Sequence, residues 1–164
     1  HGAEAELKRL VDNGFLSEKD GERVRVRELE AFRRSVLLRN MLGAKNLYRE
    51  LRFNLHLPAK YFTEDEEKRA AYEGKSVLVQ GVIDCIWEDE DGDFHLVDYK
   101  TDRLTWEERK TRSLAEARMR EAHTTQLSYY ALAIREMLGK APKSISVYSL
   151  HLGDEIKIEN IFEE

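Results

Sequence analysis

Cysteine is almost missing from this chain. A single thiol, Cys85, excludes an internal disulfide and any four-cysteine zinc or iron–sulfur site built from these residues alone. That scarcity fits a reducing, cytoplasmic setting. Long apolar runs are missing too: none approaches the roughly 20 residues that cross a bilayer, and the opening HGAEAELKRL has no apolar signal core, so neither membrane insertion nor secretion is expected. An excess of positive charge is absent, since 32 acids outnumber 27 bases and the net charge is -5. Any nucleic-acid contact must therefore come from local basic surface. There is no repeat, no low-complexity segment and no GxxxxGK[ST] nucleotide loop.

What is present suits one soluble domain. With 164 residues and 41% hydrophobic content, the chain can bury a sizeable core. Residues 4–11 have a short helical pattern that Asn13-Gly14 stops. Ser17 with Asp20 three residues on is a capping signal, ahead of a long charged helix expected to run to about Leu38 with Val24, Leu29, Phe32 and Val36 on its buried face. Its many arginines read as a solvated face rather than a stripe for DNA. YRELRFNLHL (48–57) alternates as a half-buried strand does, and Pro58 ends it. TEDEEKRAAYEGK (63–75) is a charged surface excursion, and residues 76–87 form the next strand. EDEDGD lacks the ligand order of an EF-hand and reads instead as a hairpin tip, with Asp91-Gly92 at the turn before a strand at 94–99. Helical patterns follow at 106–120 and 123–138, then Gly139 as a stop and two short strands at 144–150 and 155–158. The expected fold class is α/β, with a central mixed β-sheet of about five strands flanked by helices.

One stretch, VQGVIDCIWEDEDGDFHLVDYKTD (79–102), contains something a buried strand should avoid. Asp84 and Asp98 stand in or beside apolar runs, and Lys100 follows two residues after Asp98. Burying an unpaired carboxylate costs several kcal/mol, on the order of the desolvation penalty of an ion, so something must offset it. Asp98 and Lys100 project to one face of a strand, while Tyr99 points away. Two carboxylates are hard oxygen ligands for Mg²⁺ or Mn²⁺, and a neighbouring lysine can orient a water and stabilise charge on a phosphate in transition. The spacing is equally that of a surface ion pair worth at most about 1 kcal/mol. Flanking apolar residues such as Val82, Ile83, Leu96 and Val97 weigh against a purely superficial pair, and pattern alone leaves both readings open.

The same stretch resembles the nuclease core of the RecB-like branch of the PD-(D/E)XK superfamily, which has GxxD on one strand, DYKT on the next and QxxxY on a following helix, here GVID, DYKT and QLSYY. Within that branch the likeness is strongest to the nuclease domains of AddA-type helicase–nuclease subunits, and it covers nearly the whole chain. The resemblance implies a restriction-endonuclease-like core and a Mg²⁺- or Mn²⁺-dependent DNA exonuclease acting in double-strand break repair. Asp84 and Asp98 would be metal ligands with the carbonyl of Tyr99 a third, and Lys100 the catalytic lysine. Gln126 and Tyr130 would border the site and contact DNA or position the strands. Thr101 and Arg103 would touch phosphate, and Glu50, in RELRF, would lie on the strand before the core. Implied partners are single-stranded DNA delivered by a helicase and an AddB-like subunit; ATP would enter only through a helicase portion this chain lacks.

One departure stands out. The RecB-like branch has a metal-binding histidine on a helix well upstream of its first strand, in a GxxxH-type pattern that is absent here. His1, His56, His95, His123 and His151 fall in other places. Residues 1–164 are accordingly expected to be one nuclease domain, a C-terminal fragment of a larger helicase–nuclease chain, with weak or no activity alone. The alternatives are a free-standing RecB-like exonuclease, which would commonly carry a four-cysteine cluster, and a non-catalytic DNA-binding or assembly module.

Overall fold

A computed structural model of the chain describes residues 2–108 and 110–162; His1, which has no expected role, lies outside them. Helices α1 (Ala3–Asp12), α2 (Glu18–Gly21), α3 (Val26–Arg33) and α4 (Val36–Leu42) precede strand β1 (Asn46–Pro58). A 3₁₀ turn (Ala59–Phe62) and α5 (Glu66–Ala71) lead to β2 (Ser76–Glu88) and β3 (Phe94–Lys100). The long helix α6 (Arg112–Leu138) then crosses to β4 (Ser144–Ser149) and β5 (Asp154–Ile158). The five strands form one mixed sheet in chain order, antiparallel except for β3 and β4. That parallel pair is what a helical crossover produces, since a tight hairpin can join only antiparallel neighbours.

Two expectations about helices are corrected. The stretch from 17 to 38 is three short helices rather than one. Ser17 does cap the first, accepting the Asp20 N–H at 3.1 Å, but the Ser35 hydroxyl accepts the N–H of Leu38 at 3.0 Å and starts a new helix in mid-stretch. The restart turns Leu37 and Met41 inward and leaves Val36, expected on the buried face, 61% exposed. Conversely, the patterns at 106–120 and 123–138 are not two helices. Thr111 caps α6, accepting the N–H of Leu114 at 3.4 Å, and no glycine or proline interrupts it until Gly139, whose left-handed φ of 75° closes it. Trp106 stays outside, in the turn ahead.

The sheet is covered on both sides. Helix α6 lays Met119, Leu127, Ala131 and Ile134 on Ile83, Ile86, Leu96, Val147 and Ile156, while α3 and α4 cover Cys85, Val97 and Tyr148 with Phe32, Leu37 and Met41. Residues 131–134 of α6 are buried all round because a third set of groups covers its outer face: Phe62 stacks on Tyr129 at 4.9 Å, and the Ile161 N–H donates to the Ser128 hydroxyl. At the hairpin tip, Asp93 pairs with Lys140 and Lys143, which hold its carboxyl near a pKa of about 2, so the acidic run is tied to the body of the fold.

A kink in the backbone of β1 interrupts its pairing with β2 beside the acidic end of the sheet. Arg49 pairs with Cys85 and Leu51 with Ile83, but Glu50 and Asp84, which lie between them, do not pair, and Glu50 has a left-handed φ of 50°. Side-chain alternation slips there, so that Ile83 and Ile86, three residues apart, both pack under α6. Above the kink Gly81 faces Phe53, whose ring lies where a Cβ would sit, 2.7 Å away, and Tyr130 meets that ring edge-on at 5.8 Å. Gly81→Ala is expected to cost about 1–3 kcal/mol through overpacking, read as a lower urea midpoint with an unchanged slope.

Candidate active site

The end of β3 carries the chemistry. Leu96 and Asp98 share the face under α6, and Lys100 continues it, while Val97 and Tyr99 point to the opposite layer. Burying Leu96 and Val97 on opposite sides drags Asp98 into the core with them, 2% exposed. Its Oδ2 lies 2.6 Å from the Lys100 ammonium, yet that approach lacks hydrogen-bond geometry, so this buried oxygen has a charge partner and no aligned donor. Burial pushes the Asp98 carboxyl above its ordinary value; Lys100 pulls it down, and the charge of Asp84 adds to the rise.

Asp84 sits in the seam between β2 and β3. The ladder joining these strands ends at the pair Cys85 and Val97, and past it the Tyr99 N–H donates to Asp84 Oδ2 at 3.0 Å instead of to a strand carbonyl. In an extended strand a residue's N–H and C=O point to the same side, so the Tyr99 carbonyl also faces Asp84. The Tyr99 phenol goes the other way, to the Met41 sulfur at 3.8 Å, and burial raises its pKa. Asp84 and the Tyr99 carbonyl thus meet where the sheet forks, near enough to Asp98 for the Asp84 charge to act on it. This is an all-oxygen set containing a buried oxygen with no aligned donor, and it fits a hard divalent cation that keeps several waters. Among the described residues no three His, Cys, Asp or Glu side chains form a ready-made cage.

Helix α6 holds the lysine. The Lys100 ammonium donates to Gln126 Oε1 at 3.0 Å, and Gln126 Nε2 donates to the Tyr130 hydroxyl at 2.9 Å. Lysine can only donate, so the amide oxygen must face it, which leaves the NH₂ for tyrosine. The four-residue spacing puts both on one helix face, and the Phe53–Tyr130 contact over Gly81 anchors the relay in the core.

Of the other residues singled out from sequence, Thr101 and Arg103 are exposed on the segment leaving β3, and Glu50 stands at the kink across from Asp84. Sequence pattern missed one neighbour. His123, one turn before Gln126, places Nε2 3.5 Å from Asp102 Oδ2, buried and without a hydrogen bond. Burial, followed by the charge of Lys100, lowers its pKa. The signal was available in the spacing: His123, Gln126 and Tyr130 fall at i, i+3 and i+7, one helix face.

Residues 2–162 match the family model of the PD-(D/E)XK nuclease superfamily. Among curated proteins, an ATP-dependent helicase/nuclease subunit of Bacillus licheniformis is 35% identical over 142 residues, 87% of this chain and 11% of the relative. The like-named subunit of Heliobacterium modesticaldum is 34% identical over 96% of this chain and 11% of its own length, and that of a Thermoanaerobacter strain 31% over 93% and 12%. The chain therefore spans about 12% or less of the relatives it matches.

The raised pKa of Asp98 carries a stability consequence. In the folded state its charged form is penalised, so the cost is absent below the ordinary carboxyl value of 3.8 and present once pH exceeds the raised folded value. Asp98→Asn is expected to unfold at higher urea than wild type at pH 7, with the difference shrinking as pH falls toward 3.8. Added Mn²⁺ should raise the melting temperature of wild type and not of the variant.

Proposed function

The chain belongs to the PD-(D/E)XK nuclease superfamily, and from that premise we propose that it hydrolyses DNA phosphodiester bonds with Mg²⁺ or Mn²⁺ as the nuclease unit of a longer helicase–nuclease chain. The observation that carries this reading is the pairing of a buried, poorly satisfied carboxylate, Asp98, with a lysine that α6 aims from the side. A purely structural ion pair has no need of the Gln126–Tyr130 relay, and a binding module has no need to bury a charge.

Asp84, Asp98 and the Tyr99 carbonyl would hold the ion, whose chemistry when bound is to polarise the phosphate and acidify a water. The chain's own residues do the rest. Lys100, with Asp98 as charge partner and one donor committed to Gln126, has its remaining donor capacity for a phosphate oxygen or the attacking water, where an ammonium stabilises the charge that develops in the transition state. Gln126 keeps the flexible lysine stem from wandering, and Tyr130 keeps Gln126 from rotating. Thr101 and Arg103, next along the chain, serve phosphates adjoining the cleaved one.

The wider setting belongs to the same proposal. The relatives carry "helicase/nuclease" in their names, so single strands released by unwinding are the substrate we infer, in recombinational repair of double-strand breaks in the cytoplasm, with an AddB-like protein as partner. Among the described residues no helix is long and apolar enough to cross a membrane.

Asp98→Ala and Lys100→Ala should each lower cleavage of a single-stranded oligonucleotide by at least about 10²-fold, the scale of losing one charge-stabilising group, while retaining binding in EDTA. Gln126→Ala should lose less, because it acts through Lys100. Persistent cleavage without Asp98 would remove the reading.

A further inference from the structure

Where β3 ends, a cleft of about 390 Å³ opens between its outgoing segment and the N-terminal helices. Arg23 and Arg25, ahead of α3, form one wall, and Thr101 and Arg103 the other, with Leu150 at the base. The Leu150 N–H donates to the Lys100 carbonyl at 2.9 Å, so the base of the cleft is bonded to the strand end that carries the lysine.

The charges in this cleft are largely uncommitted. Its one carboxylate, Glu28, lies 2.8 Å from Arg25 and is approached at 3.4 Å by His151. Arg23 has only a distant carboxylate, Asp20 at 3.9 Å, and its side chain is 76% exposed. Arg103 has no hydrogen bond or ion pair with any described residue. Three guanidinium groups against one carboxylate, in a chain of net charge -5, form a local basic site that overall composition conceals. Guanidinium forks match phosphate oxygens, and groups spread over two walls suit an extended polyanion better than one small anion.

We propose that this cleft binds the sugar–phosphate backbone of a single-stranded nucleic acid next to the cleaved bond, so that the N-terminal helices form one wall of the substrate path. The proposal rests on reading Asp98 and Lys100 as the hydrolytic centre. Its new element is Arg23 and Arg25, which sequence pattern assigns to a solvated helix face. The strand would pass from the arginine walls over Thr101 to Lys100, and each phosphate it lays in the cleft would displace condensed counterions.

Binding of fluorescein-labelled oligo(dT) to the 164-residue chain in EDTA, measured across a salt series, tests this. Each phosphate contact on a single strand contributes about 0.7 to the slope of log affinity against log salt. Arg23→Ala should lower the slope by about 0.7 and Arg23→Ala with Arg103→Ala by about 1.4. Arg27→Ala, on α3 and outside the cleft, should leave it unchanged, and circular dichroism separates a lost contact from a lost fold. Equal slopes for wild type and the double variant, an equal fall for Arg27→Ala, or no binding by wild type would each overturn the proposal. If cleavage survives in Asp98→Ala while the slopes change as expected, the hydrolytic reading fails and the cleft stands. If the slopes stay the same while Asp98→Ala abolishes cleavage, only the cleft fails.

Discussion

The pairing of Asp98 with Lys100 at the end of β3 is the constraint around which the fold is arranged. A carboxylate 2% exposed is expensive to ionise, and a single ammonium 2.6 Å away without hydrogen-bond geometry does not fully compensate. A fold selected for stability alone would gain by placing an apolar side chain there. What the arrangement offers instead is a buried carboxylate oxygen with no aligned donor and a lysine with donor capacity left over. Stability and chemistry pull against each other at this one position, which is the usual condition of a functional site.

The surrounding elements bring the remaining groups to that point. The β1–β2 kink interrupts regular pairing at Asp84, whose carboxylate takes the Tyr99 N–H and makes the seam an acidic fork. Gly81 lets Phe53 lie flat on β2, Phe53 seats Tyr130, and Tyr130 orients Gln126 against Lys100. The glycine and the acid three residues later thus serve one site by different routes, one through packing on α6 and the other through the fork itself.

Much of this was legible in the sequence. Strand and turn positions followed from alternation and from Gly92, Gly139 and Gly153, and the GVID, DYKT and QLSYY pieces marked the residues that the fold brings to one place, apart from the more distant Thr101, Arg103 and Glu50. The misses have physical causes. Ser35 looks like any polar residue on a charged helix until its hydroxyl is seen capping a new one. The left-handed Glu50 breaks an alternation that a pattern of period two assumes continuous. His123 is set aside from sequence because the pattern makes it the first residue of a helix, whereas α6 runs through it without interruption and turns it toward Asp102.

Anomalous scattering from crystals soaked in Mn²⁺ interrogates the acidic fork itself, because it needs neither the correct substrate nor a partner. A peak is expected at about 2.0–2.3 Å from carboxylate oxygens of both Asp84 and Asp98, on the Tyr99 carbonyl side of the fork, and absent in Asp98→Asn. A peak elsewhere with the fork empty, or the same peak in the variant, would contradict a metal-dependent centre at this position.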